Sequence, residues 1–129
     1  MAADYTHLNL VDVEDAAPGN GFDDRWEARV ARVLLGAQAT GVTYFRLKPG
    51  KRSPFTHRHT EAEETYVIVG GTGRAKLDNE IVEVRPLDAI RVAPRTARAF
   101  EAGEDGLEFI AFGPHVPRDG EPVEDEWTA

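Results

Sequence analysis

The chain has 129 residues, of which 41% are hydrophobic, and it carries a net charge of −8 and no cysteine. The length fits one domain with a small core, and the lack of cysteine excludes disulfides and thiolate metal sites. The acidic charge argues against nucleic acid or an anionic membrane as a partner, because both demand a basic surface.

The two ends of the chain hold much of the acidic excess, which predicts solvated, loosely ordered ends. The residues concerned are Asp12, Glu14, Asp15, Asp23 and Asp24 at one end, and Asp119, Glu121, Glu124, Asp125 and Glu126 at the other. The N-terminus lacks the basic and apolar regions of a signal peptide, and no apolar run is long enough for a membrane span. We therefore expect a cytoplasmic protein.

The first clear strand pattern begins after residue 41. Before it, residues 8–13 have β-like composition, and residues 26–35 alternate like a strand but have the composition of a helix, so both alternatives stay open. Residues 42–48 alternate regularly, with Thr43 and Phe45 on one face of the strand and Tyr44 on the other.

Short β-prone segments then follow one another, separated by Gly, Pro, Asn and Asp. They cover residues 55–59, 65–69, 74–77, 81–84, 89–92, 97–101 and 107–112. This density of short strands is typical of an all-β sandwich or barrel. We predict one domain over residues 1–129, with a core at about 41–113, an acidic N-terminal extension and a tail over 114–129.

One run within these strands carries candidate metal ligands. His57 and His59 lie two residues apart, so on a strand both imidazoles point to the same face. Glu64 follows at the start of the next strand and can turn back towards them. Two His and one carboxylate form a ligand set that leaves open positions on a divalent metal. The alternative is an exposed, charged strand end whose His residues bind nothing.

The same residues resemble the first motif of the cupin superfamily, which consists of glycine, His-x-His, glutamate and glycine. Here the motif falls on Gly50, His57, His59, Glu64 and Gly71, with one extra residue between Gly50 and His57. The resemblance covers about residues 41–113. It implies a cupin-type β-barrel, also described as a double-stranded β-helix or jelly roll. It assigns the ligand role to His57, His59 and Glu64, and leaves Glu61 and Glu63 as solvated charges.

The second cupin motif is degenerate in this chain. Its glycine, proline, glycine, histidine and asparagine positions hold Leu87, Ala93, Arg95, Arg98 and Ala102. The fourth metal ligand of the family is therefore replaced by Arg98, which stays charged and cannot ligate. A cation there repels a metal ion. Arg98 can swing outward or bind a substrate carboxylate at the metal, or it can take the metal's place and pair with Glu64 or Glu63.

The resemblance implies one of two functions. The first is a small metal-dependent enzyme of oxygenase, isomerase or decarboxylase type that acts on a small anionic metabolite, with Fe, Mn, Ni or Zn held by the triad. The second is a non-catalytic cupin that binds or senses a small molecule and uses Arg98 in place of the metal. Substrate contacts are expected from Arg98, Tyr66, Tyr44 and Phe100.

The remaining expectations concern assembly and the isolated aromatic and His residues. We expect a homodimer, because an N-terminal strand and flanking tryptophans can cover a sheet edge. Trp26 and Trp127 are assigned to core packing or a subunit contact. His7 and His115 are expected to be exposed, and His115 reaches the metal only if the tail folds back.

Overall fold

The computed structural model describes residues 4–129 and confirms the all-β prediction. The eight strands are β1 (Trp26–Val30), β2 (Thr40–Leu47), β3 (Thr56–His59), β4 (Glu64–Leu77), β5 (Glu80–Val84), β6 (Ala89–Val92), β7 (Arg98–Pro114) and β8 (Gly120–Val123). Two short helices, α1 (Ala17–Asn20) and α2 (Arg32–Leu35), and one 3-10 turn (Leu10–Asp12) precede or interrupt them. No helix within residues 4–129 has the length and apolar character needed to cross a bilayer.

All the strand pairs are antiparallel, and together they form one curled sheet of the jelly-roll type. One path through the sheet runs β1-β2-β7-β3-β8, and β4 joins it by pairing with β7 while also carrying β5 and β6. The strand β7 therefore pairs with β2, β3 and β4, and β4 pairs with β5, β6 and β7, so these two strands connect all the others except β1 and β8 directly.

The strands β4 and β7 are longer than the sequence pattern indicates. Residues 65–69 and 74–77 belong to one strand of 14 residues, and residues 97–101 and 107–112 to one of 17 that begins at Arg98. Two register shifts, between Ile68 and Gly70 and between Gly71 and Gly73, let the pair bend without separating. A Cβ at Gly71 would lie 2.0 Å from the carbonyl oxygen of Gly106, so only glycine permits this approach.

A stack of aromatic rings fills the space between the curled layers. The Phe109 ring stacks on Phe45 and Phe100, at centroid distances of 5.1 and 4.3 Å, while Trp26 packs on Phe45 and Tyr66 on Phe100. These rings come from β1, β2, β4 and β7, and their burial is a large apolar contribution to the stability of the fold. Trp26 is thus a core residue, as expected.

The N-terminal region resolves the ambiguity left by composition. Residues 26–35 divide between both alternatives, because β1 covers the first half and α2 the second. The β-like prediction for residues 8–13 is wrong, since Asn9 caps a single 3-10 turn there by accepting a hydrogen bond from the Val11 amide. A side-chain cap of this kind satisfies backbone donors locally and competes with strand formation.

The C-terminal residues are not a loosely ordered tail. The strand β8 pairs with β3 over the whole length of β3, from Thr56↔Val123 to His59↔Gly120. Beyond it, Lys76 binds Asp125 at 2.6 Å, and the Arg52 guanidinium lies over the Trp127 ring. Acidic residues that looked like solvating charges are therefore partners for basic residues of the barrel, and β8 covers an otherwise open edge of β3.

The turn before β6 contains a strained residue. The Asp88 amide donates to the Arg85 carbonyl, Pro86 occupies the second position, and Leu87 occupies the third with φ +74°. A type II turn needs a positive φ at this position and prefers glycine there. Leu87 is 86% exposed, so no packing compensates for the strain.

We expect Leu87→Gly to raise the free energy of unfolding by about 1 kcal/mol, because relief of left-handed strain exceeds the entropy cost of glycine. Leu87→Ala is the matched control: it also removes the exposed side chain but keeps the Cβ, and so gives no gain. Urea unfolding of the three proteins measures the differences. A Leu87→Gly protein no more stable than Leu87→Ala would contradict the strain argument.

Candidate metal centre

The strand geometry brings four functional side chains to one end of the barrel interior. His57 and His59 alternate onto the same face of β3, and Glu64 is the first residue of β4. Arg98, the first residue of β7, lies directly opposite His57 in the antiparallel pair. Directly opposed residues on neighbouring strands share a face, so Arg98 enters the cavity beside the two His rings.

The donor atoms of His57, His59 and Glu64 suit a single divalent ion. All three lie within 4.8 Å of one another. The Oε1 atom of Glu64 is 3.7 Å from Nε2 of His57 and 3.0 Å from Nε2 of His59. Bonds of about 2.0–2.2 Å to one metal ion place its nitrogen and oxygen ligands at such separations. The predicted triad is therefore assembled, with nitrogen and oxygen donors only.

A further residue, Asp119, orients the His59 ring. Its Oδ2 atom lies 3.2 Å from Nδ1 of His59, while its two oxygens accept the backbone N–H groups of Thr60, Glu61 and Ala62 at 2.8–3.0 Å. Burial raises the pKa of the Asp119 carboxyl, but these three backbone donors lower it by more, so the group is a carboxylate. An ionised Asp119 accepts a hydrogen bond from the Nδ1–H group of His59, and in the neutral ring Nε2 then carries a lone pair that a metal can use.

Nε2 of the neutral His59 ring lies beside another acceptor. It is buried, and it is 3.0 Å from Oε1 of Glu64 without forming a hydrogen bond to it. Two unprotonated acceptors at this distance repel each other unless a cation lies between or beside them. A metal ion held by both atoms removes this conflict, and a carboxylate–histidine pair behind the ligand is the usual support of such an ion.

Glu64 is held in its ionised form. Burial raises the pKa of Glu64, but the neighbouring His57 and His59 rings and the Tyr66 hydroxyl lower it by more, leaving it well below its usual range. The Tyr66 hydroxyl donates to Oε1 of Glu64 at 2.9 Å. Burial and the Glu64 charge raise the pKa of Tyr66 well above its ordinary value, so the hydroxyl keeps its proton and remains a donor.

Arg98 is the unusual member of the site. Its side chain is 0% exposed, and Nη1 donates to the Pro94 carbonyl at 3.2 Å. Nη2 is 3.7 Å from Oε1 of Glu64, which is an ion pair without a hydrogen bond, and neither Nε nor Nη2 has a partner. Arg98 thus faces the triad rather than swinging outward. It is a buried cation with two unused donors, an arrangement that costs free energy in an apolar interior.

A cavity of about 70 Å³ adjoins these groups. Arg98, Tyr66 and Phe100, which are expected to contact substrate, line it together with His57 and Glu64. Tyr44, for which the same contact is expected, does not line it, because Tyr44 projects from the opposite face of β2 from Thr43 and Phe45 and donates its hydroxyl proton to Glu108. Burial and the Glu108 carboxylate raise the Tyr44 pKa, which keeps that hydroxyl protonated.

A second, wider groove of about 300 Å³ reaches the centre from outside. His59 and Glu64 form its floor, and Arg32, Phe112 and His115 lie among its walls. The C-terminal residues do fold back, but His115 is exposed and does not join the triad cluster. Glu63 faces outward and pairs with Arg91.

The sequence pattern did not identify Asp119 as part of the site. It lies 60 residues after His59 in a segment interpreted as a tail, and no local spacing links it to the His-x-His run. Only the pairing of β8 with β3 brings it beside the ring.

Comparison with known proteins identifies the family. The protein-family model described as "Cupin domain" matches residues 43–112, which is more than half of the chain. An uncharacterized protein of Methanocaldococcus jannaschii is 35% identical over 71 residues, which make up 53% of this chain and 57% of that protein. The match therefore spans little more than half the length of this curated relative.

Solved structures show the same fold at low sequence identity. The polyketide cyclase RemF from Streptomyces resistomycificus has a TM-score of 0.76 at 19% identity, covering 95% of this chain and 89% of that one. A sugar phosphate isomerase from Silicibacter pomeroyi has a TM-score of 0.75 at 19% identity, covering 94% and 83%. At these identities the similarity shows the fold alone.

We expect Asp119→Asn to weaken metal binding about 10- to 100-fold, because the amide is a weaker and uncharged partner for Nδ1 of His59. The matched control is Glu121→Gln, which removes an exposed carboxylate two residues further along the same segment. Isothermal titration of Zn²⁺ into the three proteins measures the difference. Equal affinity in Asp119→Asn and wild type would show that Asp119 does not support a ligand.

We expect Arg98→His to tighten metal binding at least about tenfold, because it removes a cation beside the ion and supplies a fourth imidazole. Arg98→Lys is the control, since it keeps a positive charge and cannot bring back the family's ligand. Competition against a colorimetric Zn²⁺ chelator compares them with wild type. If both variants bind no better than wild type, the charge at position 98 does not limit affinity.

Proposed function

The chain belongs to the cupin family, and on that basis we propose that it is a metal-binding cupin whose three-ligand centre acts on a small anionic metabolite. The ligands are His57, His59 and Glu64, and Fe, Mn, Ni and Zn all accept such nitrogen and oxygen donors. The observation that carries the proposal is the cluster of ligand atoms of His57, His59 and Glu64, which lie within 4.8 Å of one another and in which Nε2 of His59 is buried without a partner. A divalent ion bound by these atoms would give Nε2 a partner and balance the Glu64 charge.

Each of the surrounding residues would have a separate role in such a site. Asp119 fixes the tautomer of His59, and the Tyr66 hydroxyl holds the Glu64 carboxylate in place. Arg98 supplies positive charge and free N–H groups for an anion, and the aromatic walls of the cavity exclude water. A bound divalent metal would supply Lewis-acid chemistry, polarising an oxygen of the bound molecule.

Three considerations favour an enzyme. Three protein ligands leave positions on a metal for a substrate. The cavity and the outer groove both reach the triad, which gives a metabolite access. The scaffold also carries catalysis elsewhere, since two structural neighbours are described as a polyketide cyclase and a sugar phosphate isomerase. Oxygenation, isomerisation and decarboxylation are the reaction types that suit a centre of this kind.

A second candidate is a non-catalytic module in which Arg98 takes the place of the metal. The observation that favours it is the 3.7 Å separation between Nη2 of Arg98 and Oε1 of Glu64, which is an ion pair within the cavity. In that case the guanidinium charge balances Glu64, and a small molecule binds without being transformed. Metal binding separates the two candidates.

We expect purified wild-type protein to bind about one divalent ion per chain and His57→Ala to bind at least about 100-fold more weakly, because only two ligands remain. His115→Ala is the matched control, since it removes an exposed imidazole from the wall of the outer groove. Elemental analysis before and after chelation, followed by titration with Zn²⁺ and Mn²⁺, gives stoichiometry and affinity.

Equal binding by wild type and His57→Ala would overturn the ligand assignment. If neither wild type nor Arg98→His binds a metal, the second candidate replaces the first. Circular dichroism of His57→Ala is expected to match wild type, because His57 lies at the cavity and is not part of the aromatic core.

A further inference from the structure

We propose that the anion bound at this centre is a small monocarboxylate, held side-on by the Nε–H and Nη2–H groups of Arg98. Its hydrocarbon part lies in the aromatic cavity. This inference rests on the proposed function, because it names the class of molecule that the same site accepts.

The free donors of Arg98 form one edge of the guanidinium. Nη1 donates to the Pro94 carbonyl, whereas Nε and Nη2 are buried without partners. Nε–H and one Nη2–H point in nearly the same direction, and this edge binds the two oxygens of a carboxylate by parallel hydrogen bonds. The Pro94 contact anchors the opposite side of the group, so the unused edge is presented in a fixed orientation.

Within residues 4–129 no acceptor meets hydrogen-bond geometry with this edge. The Tyr66 hydroxyl lies close enough for the Arg98 charge to offset part of the rise in the Tyr66 pKa that burial and Glu64 cause, but it donates its own proton to Glu64. Glu64 is the nearest carboxylate, but its Oε1 atom is 3.7 Å from Nη2 and already accepts the Tyr66 hydroxyl. The same oxygen also faces both His rings. A fully buried cation with two free donors therefore calls for an acceptor from outside the chain.

The cavity walls favour a carboxylate over a phosphate. A phosphate would turn further oxygens away from Arg98, and these need donors of their own. The polar wall groups beyond the triad and its contacts are few: Ser53 already exchanges hydrogen bonds with the Phe100 backbone, which leaves Thr43 and the indole N–H of Trp26. Phe45, Phe100 and Phe109 supply apolar surface instead, which suits a hydrocarbon chain or ring.

The size of the cavity limits the ligand. A water molecule needs about 10–15 Å³ of such space, so the cavity of about 70 Å³ holds roughly five to seven water-sized groups. Propionate has five non-hydrogen atoms and butyrate has six. Carboxylates of this size fit with the charged end at Arg98 and the hydrocarbon end against the rings.

Charge balance couples the carboxylate to the metal. Without a metal, the charges of Arg98, Glu64 and Asp119 sum to −1. A divalent ion raises the sum to +1, and a monocarboxylate then neutralises it. Metal and carboxylate should therefore each strengthen binding of the other, and by the same factor.

The test is calorimetric titration of propionate and propionamide into the full-length protein, with and without Zn²⁺. Propionamide has nearly the same shape but no charge. We expect propionate to bind at least tenfold more tightly than propionamide to wild type, and more tightly with Zn²⁺ than without it. Two variants follow: Arg98→Met, expected to lose at least tenfold in propionate affinity, and Arg91→Met, a surface control expected to behave as wild type.

The comparison within wild type stands even if Arg98→Met fails to fold. Equal binding of propionate and propionamide, or unchanged propionate affinity in a folded Arg98→Met, would overturn the proposal. Tighter binding of inorganic phosphate than of propionate would overturn the choice of a carboxylate. Zn²⁺ binding without any propionate binding refutes this inference and leaves the proposed function standing. Propionate binding through Arg98 without any Zn²⁺ binding supports this inference and refutes the metal centre of the proposed function.

Discussion

The antiparallel pairing of β4 with β7 supports every other part of this structure. It runs from Thr65↔Phe112 to Leu77↔Arg98 and crosses both layers of the curled sheet. β4 delivers Glu64 and Tyr66 to the cavity, and β7 delivers Arg98, Phe100 and Phe109. The pair can bend only because glycines occupy the bulges, where a side chain would collide with the opposite backbone. The position of the candidate centre is therefore a consequence of backbone packing.

The replacement of a ligand by a cation defines the chemistry of the centre. The position of Arg98 opposite His57 directs the guanidinium into the place where a fourth ligand is expected. Its charge would oppose metal binding and would attract an anion to the same site. Such a site would have a lower affinity for a metal and a higher affinity for an anionic molecule. The free Nε and Nη2 groups fit this interpretation, because neither is used by the fold itself.

The C-terminal segment is structurally part of the centre. By pairing with β3, β8 places the Asp119 carboxylate behind His59 and on the three backbone amides that follow it. One carboxylate thus shapes the loop that leads to Glu64 and sets the proton position on a ligand. Further along, Asp125 and Trp127 attach the segment to Lys76 and Arg52 of the barrel. Changes in this segment should therefore be felt at the metal.

Alternation, spacing and the first motif were enough to predict the strand content, the family and the residues of the triad. Alternation and the His-x-His spacing are local properties, since neighbouring side chains on a strand have a fixed relation to one another. The position of Arg98 beside the triad could also be predicted, because the second motif aligns Arg98 with a ligand position. Local pattern failed where partners are far apart along the chain. It placed Asp119 in a tail and divided β4 and β7 at their glycines. It also assigned Tyr44 to the cavity, although Tyr44 points to the opposite face of β2 from Thr43. Those features depend on which strands pair and on where a bulge bends them, and a local pattern contains neither kind of information.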